Sequence, residues 1–173
     1  MRKILTVLLI SLASIAMQGQ HVFNKGDVMF NIGVGAPYQY GLVPTINASG
    51  EVGVIPTGDI GIVSFGGLAE IQFAQYTNPN YDLNRPIFII GPRGTWHLQV
   101  FESDVWDVYG GVGFGLKFWN KWNNGNRDYD SSIGPYGEIF FGGRWMFSPG
   151  VGLFAEVGGG TRSWGKFGIT FGI

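Results

Sequence analysis

Charged side chains occur at alternate positions in runs of glycine and aromatic residues along this sequence. In the run 133–158, Glu138 and Arg144 fall on even positions, while the odd positions up to Phe147 are mostly apolar. A period of two places successive side chains on opposite faces of a strand. Buried charges persist only when they are paired, so equal numbers of acids and bases on one face predict a shared ionic network. The charged face predicted for all runs carries Glu51, Glu70, Glu138 and Glu156 with Arg93, Lys117, Arg144 and Lys166.

His97 falls on the same predicted face and is the candidate general base of the sequence. A catalytic base needs a nucleophile beside it, and the sequence places none next to His97. The other histidine, His21, lies near the mature N-terminus. We therefore interpret His97 as a member of the ionic network, and the sequence predicts no catalytic residue and no enzymatic activity.

Two further patterns have some features of ligand sites. The run Gly111-Val-Gly113-Phe-Gly115-Leu-Lys117 resembles a phosphate-binding loop, but it lies within a strand pattern and no helix follows it. The Asn and Asp residues of 123–130 could offer oxygens to calcium, but their spacing matches no calcium loop. No Cys is present, which excludes thiolate metal sites. The sequence predicts no cofactor and no metal.

The first residues have the pattern of a secretory signal. Arg2 and Lys3 precede an uncharged apolar run, 4–16, that is too short to span a bilayer. Small residues permit cleavage after Ala16 or after Gly19. We predict a signal peptide over 1–19 and one mature domain over 20–173.

The mature composition favours a membrane sheet. Without Arg2 and Lys3, 9 of the 11 basic residues remain against 12 acidic ones, so nucleic acid is not an expected partner. Thirty glycines and few charges are typical of a lipid-facing sheet. Because no second long apolar run exists, only a closed barrel could satisfy the backbone in lipid.

Period-two alternation predicts eight strands in this chain. The predicted fold class is all-β, an eight-stranded antiparallel up-and-down transmembrane β-barrel. The third strand is irregular because Ile60 and Ile62 fall on the wrong parity, and a bulge within 63–67 would repair its register. Residues 102–107 are predicted to form a short acidic turn, so Asp107 is placed outside the strands.

Three long polar segments, 37–45, 75–85 and 120–132, are predicted to be loops at one end of the barrel. Short turns are predicted at the other, periplasmic end, as is usual in bacterial outer-membrane barrels, and an even number of strands returns both termini to the periplasm. Aromatic side chains in such loops suit contact with a surface partner. The candidate contact residues are Tyr38, Tyr40, Tyr81, Trp122 and Tyr129.

The last third of the chain resembles a known family. The run GGRWMFSPGVGLFAEVGGG, 142–160, and the terminal strand Lys-Phe-Gly-Ile-Thr-Phe are similar to the small outer-membrane β-barrel proteins of Gram-negative bacteria, the OmpX/OmpA-like or porin-family barrels. The matching residues are Arg144, Phe147, Gly152, Phe154, Glu156, Gly158, Phe167 and Phe171. The resemblance implies an outer-membrane location, contact with its lipid, and assembly by the barrel-assembly machinery. The chain departs from the family in ending at Ile173 rather than at an aromatic residue, and in lacking a Ser-Tyr step at 161–164.

Three functions are compatible with these patterns. The leading hypothesis is an outer-membrane barrel with a structural or surface-interaction role. A narrow channel or a transporter of apolar ligands is an alternative, because Met29, Leu68, Phe140, Met146 and Phe154 also point inward. A secreted lipocalin-like barrel is the second alternative, and it would require the apolar face to point inward and the charges to point outward.

Overall fold

Eight antiparallel strands form the whole of the described fold. The computed structural model describes residues 21–37, 44–78, 81–100, 103–123 and 126–173. The strands are β1 (Val28–Pro37), β2 (Thr45–Pro56), β3 (Gly61–Asn78), β4 (Tyr81–Leu98), β5 (Trp106–Asn123), β6 (Asn126–Ser148), β7 (Val151–Gly159) and β8 (Ser163–Gly172). They close into a barrel in sequence order, with β8 beside β1. The predicted fold class is confirmed, while the predicted signal peptide, 1–19, lies outside the described residues.

The two faces of the wall carry opposite chemistry. Phe114 and Phe141 point outward and are 68% and 65% exposed, whereas Arg144 and Glu70 point inward and are 0% and 1% exposed. A barrel dissolved in water would show the reverse distribution, because apolar burial stabilises it. The predicted direction of the faces is therefore correct, and it is opposite to that of a lipocalin. Among the described residues, no helix is long and apolar enough to cross a membrane.

Short connections lie at the end of the barrel where β1 begins and β8 ends, which we call the terminal end. β6 and β7 are joined by Pro149 and Gly150, and Gly150 has a φ of 79°. Proline followed by a glycine of positive φ is the signature of a type II turn. A 3-10 turn, Gly58–Ile60, joins β2 to β3 at the same end.

Four strands extend beyond the others at the opposite end. The β3–β4 ladder continues to Asn78 and Tyr81, and the β5–β6 ladder to Asn123 and Asn126. In contrast, β1 and β2 pair only as far as Gly35 and Thr45. We call the extended parts of β3 to β6 the tall wall. Residues 75–85 and 120–132 were predicted to be loops, and this is wrong for most of them, because their backbones continue the ladders.

The register of β3 also differs from the prediction. β3 pairs with β4 without interruption from Gly61 to Asn78, so the bulge predicted within 63–67 is absent there. The irregularity lies in β2, between Gly53 and Ile55. Ile62 is on the inner face, 2% exposed, where it belongs to a small apolar cluster. Ile62 seemed to break the alternation because apolar residues occupy both the inner and the outer face at this end of the barrel.

Candidate functional site

The inward charges form two groups stacked along the barrel axis. The lower cluster, near the terminal end, consists of Glu51, His97, Asp107 and Arg144. The upper cluster consists of Glu70, Arg93, Glu138, Glu156 and Lys166. Seven of the eight charged residues predicted to face inward belong to these clusters, and the eighth is Lys117. Each cluster draws its members from several strands, so only closure of the barrel brings them together.

In the upper cluster, each base bridges two carboxylates. Arg93 places Nε 3.0 Å from Glu138 Oε1 and Nη2 2.9 Å from Glu156 Oε2. Lys166 Nζ lies 3.2 Å from Glu138 Oε2 and 3.7 Å from Glu70 Oε2. All five side chains are buried. Each ionic contact therefore offsets part of the free-energy cost of removing both partners from water.

Glu70 ties this cluster to the rim near the start of β8. Its Oε2 accepts a hydrogen bond of 2.9 Å from Ser163 Oγ, and its Oε1 accepts one of 2.8 Å from the backbone N–H of Arg162. Arg162 Nε donates to Gln72 Oε1 at 2.8 Å. At this rim, side chains of β3 therefore bind Ser163 in β8 and Arg162 just before it, although β3 and β8 are not neighbouring strands.

Glycines in β5 make room for the large side chains. A Cβ on Gly113 would lie 2.7 Å from Glu138 Oε1 and 3.2 Å from Arg93 Cγ. A Cβ on Gly111 would lie 2.6 Å from the Phe140 ring. These glycines serve close packing, consistent with their interpretation as strand residues rather than a phosphate-binding loop.

Arg144 is the centre of the lower cluster. Its Nη1 donates to Asp107 Oδ2 at 2.8 Å, its Nη2 contacts Glu51 Oε1, and its Nε donates to Asn31 Oδ1 at 3.4 Å. Asp107 is the second residue of β5 and is buried, so its predicted place in an acidic turn is wrong. The strand begins earlier than its apolar alternation indicated, because Trp106 and Trp145 pair directly at the rim.

His97 lies between two carboxylates. Its Nδ1 is 2.9 Å from Asp107 Oδ2, and its Nε2 is 3.2 Å from Glu51 Oε2. An ionised carboxylate can only accept hydrogen bonds, so both ring nitrogens carry protons in this arrangement. The arrangement of acceptors therefore favours an imidazolium, which together with Arg144 would balance the charges of Glu51 and Asp107.

Ser64 completes an arrangement that resembles a catalytic triad. Ser64 Oγ lies 3.2 Å from His97 Nε2, and His97 Nδ1 contacts Asp107. However, Ser64 Oγ donates to Glu51 Oε2 at 2.6 Å, and an imidazolium has no lone pair to accept the serine proton. Ser64 and His97 are both 0% exposed. The geometry is that of a structural network.

We expect a fluorophosphonate probe to leave Ser64 unlabelled in the folded barrel, because no general base is free to activate its hydroxyl. Intact-protein mass spectrometry before and after incubation would measure labelling. Ser64→Ala is the matched control, because any labelling of this variant must occur at another residue. An adduct that is lost in Ser64→Ala would show that the serine is an activated nucleophile.

Tyr109 and Phe140 connect the two clusters. Tyr109 OH donates to Glu156 Oε1 at 3.1 Å, and the Arg144 guanidinium carbon lies 4.4 Å from the centre of the Tyr109 ring. The Arg93 guanidinium carbon lies 3.6 Å from the centre of the Phe140 ring. These cation–π contacts add stabilisation in a site with little water. The lumen is filled by charge pairs and rings in contact.

Lys117 and the contact candidates remain to be placed. Lys117 Nζ is 4.8 Å from the centre of the Trp119 ring, above the upper cluster. Tyr38 and Tyr40 lie outside the described residues. Tyr81 begins β4, and the backbones of Trp122 and Tyr129 belong to the tall wall rather than to loops.

Sequence reasoning missed three members of the network. Asp107 shares the odd parity of Tyr109, so extending β5 by one residue pair would have included it. Ser64 shares the even parity of Glu70, but the bulge predicted in β3 broke that pattern. Asn31 was assigned to the inner face but not recognised as a partner of Arg144, because their contact spans the barrel.

The fold is that of small outer-membrane barrels. The N-terminal β-barrel domain of OprF from Pseudomonas aeruginosa superposes with a TM-score of 0.58 at 11% identity, covering 86% of this chain and 98% of that one. Ail, the attachment invasion locus protein of Yersinia pestis, superposes with a TM-score of 0.55 at 11% identity in its complex with the heparin analogue sucrose octasulfate, covering 87% of this chain and 100% of that one. No protein-family model and no curated protein matches the sequence.

Proposed function

We propose that this chain is an integral barrel of the bacterial outer membrane that carries out no catalysis and presents the tall wall to partners outside the cell. The proposal rests on the asymmetry of the strands. β6 continues about twelve residues beyond Ile139, near which its pairing with β7 ends. The whole of β6 has 23 residues, about twice the roughly 9–11 residues that a tilted strand needs to cross a bilayer.

The filled lumen supports a structural role over the channel alternative. An eight-stranded barrel has room for little more than its own side chains. Arg93, Arg144 and Phe140 lie across the interior, and each is 6% exposed or less. The inward Met29, Leu68, Met146 and Phe154 are each at most 8% exposed, which also argues against a path for apolar ligands.

The tall wall suits a protein partner better than a polyanion. The tall wall consists of two hairpins, because the pairing of β4 with β5 ends at Ile87 and Trp119. The upper parts of β3 and β6 are also free edges, because their outer neighbours stop short. Unpaired edge strands can bind an extended segment through backbone hydrogen bonds. The heparin analogue bound by Ail is strongly anionic, whereas this chain has 9 basic and 12 acidic residues after residue 19. Arg93, Arg144 and Lys166 are buried in the barrel together with the acids Glu70, Asp107, Glu138 and Glu156, so no excess of basic residues is left outside. We therefore expect a partner that is not a polyanion.

Two epitope tags test this orientation. A tag inserted between Asn78 and Tyr81 should bind antibody on intact cells, because it would cap the tall wall. The matched tag between Ser148 and Val151 should bind only after the envelope is opened, because it would lie at the terminal end. A mobility shift on gels between cold and boiled samples checks that each variant is a folded barrel. Access to the second tag but not the first would contradict the proposed orientation, and the absence of any shift in untagged protein would contradict a membrane barrel.

A further inference from the structure

Residues 21–27, which we call the strap, lie across the mouth of the barrel at the terminal end. Phe23 is 1% exposed and packs in the apolar cluster with Met29, Ile62 and Met146. The centre of its ring is 4.1 Å from that of the His97 ring, with 32° between the planes. Phe23 therefore covers the imidazolium and separates the lower cluster from the water beyond the mouth.

The backbone of the strap is seated on β2 and on the end of β4. Gly26 N–H donates to Gly53 O at 2.9 Å, and Gly53 N–H donates to Asp27 O at 3.0 Å. Gln99 Nε2 donates to the carbonyl of Phe23 at 2.7 Å. Gly53 has no Cβ where the Asn24 carbonyl approaches, and it borders the β2 bulge. The irregularity of β2 therefore lies next to the residue that binds the strap.

The strap has its own internal hydrogen bonds, and β1 is anchored separately from it. Gly26 has a φ of 94°, and Lys25 beside it is exposed. Asn24 N–H donates to Asp27 Oδ2 at 2.7 Å, and Asn24 Nδ2 donates to His21 O at 3.0 Å. Directly after the strap, Val28 and Ile173 exchange two backbone hydrogen bonds that fix the start of β1. The start of β1 is thus held independently of the strap.

We propose that the strap is a lid, which closes the terminal mouth over the lower cluster and opens as a unit while the eight strands stay paired. The argument is one of relative cost. The strap is held by one buried ring and a few hydrogen bonds, whereas each strand pairs with a neighbouring strand on both sides. Segments with few buried contacts open locally at lower free energy than the core. Opening uncovers a pocket the size of an aromatic ring, with apolar walls and His97 at its base.

Amide hydrogen exchange of the full-length barrel in detergent micelles tests the lid. In the parent protein, the amides of Gly26 and Gly53 should exchange faster than ladder amides in the middle of β3 and β4. Phe23→Ala should accelerate exchange at these two amides at least tenfold and leave the ladder amides unchanged. Phe147→Ala is the matched control, because this phenylalanine is 55% exposed on the outer face at the same end. It should leave the strap amides unaffected.

Two outcomes would overturn the proposal. If Phe23→Ala accelerates exchange equally in the strap and the ladders, Phe23 is part of the barrel core and the strap does not open separately. If Phe23→Ala gives no change, the ring does not hold the strap. If that variant fails to fold, the exchange rates of the parent protein are the test. Strap amides that exchange as slowly as the ladder amides would contradict a lid, and strap amides that exchange faster would support it.

Discussion

Replacing Arg144 with alanine is expected to cost the folded barrel about 3–5 kcal/mol, the range found when one partner of a buried ion pair is removed. The guanidinium is 0% exposed and bridges Glu51 and Asp107. Its loss would leave two carboxylates with only His97 as a cationic partner. Urea unfolding of the barrel in lipid vesicles, followed by tryptophan fluorescence, would measure the change.

Two comparisons separate this effect from a general loss of packing. Lys25→Ala removes an exposed charge from the strap and should change stability by no more than about 0.5 kcal/mol. Adding Glu51→Gln to Arg144→Ala should cost less than the sum of the two single changes, because the neutral amide no longer needs the guanidinium. Additive effects, or an Arg144→Ala barrel as stable as the parent, would contradict an interdependent network.

An arginine introduced on the outer face should cost about 2–4 kcal/mol if that face contacts the middle of the bilayer. Val112 is suited to this test because it lies near the centre of the outward apolar row of β5 and is 59% exposed. In water, Val112→Arg would exchange an exposed apolar group for a charged one at little cost. The same unfolding measurement in vesicles would therefore report the surroundings of the side chain.

Ile60→Arg is the matched control for that substitution. Ile60 is 50% exposed, but it lies in the 3-10 turn at the terminal end, where an added arginine should cost no more than about 1 kcal/mol. Equal effects of Val112→Arg and Ile60→Arg would argue that the outer face is not in hydrocarbon, and the lipid-facing interpretation would be lost.

Local periodicity alone determined the class of fold. Alternation along β5 and β6 placed Val112, Phe114 and Phe141 outside and Glu138 and Arg144 inside, because a strand presents successive side chains to opposite faces. The turn at Pro149 and Gly150 could also be predicted from the sequence, since its backbone angles favour those residue types. Such features depend only on residues close together in the sequence.

Where strands end, and which charges meet, was decided by tertiary structure. Residues 75–78 and 81–84 look like parts of a loop because they are polar, but in the tall wall their backbones pair with each other, and pairing does not require apolar side chains. Asp107 looks like part of a turn until Arg144 and His97 approach it from neighbouring strands. The contact of Arg144 with Asn31 joins residues 113 apart in the chain. These contacts form only when the strands assemble into the closed barrel. A period-two pattern predicts which face of a strand a side chain occupies, but not which residue it meets across the lumen.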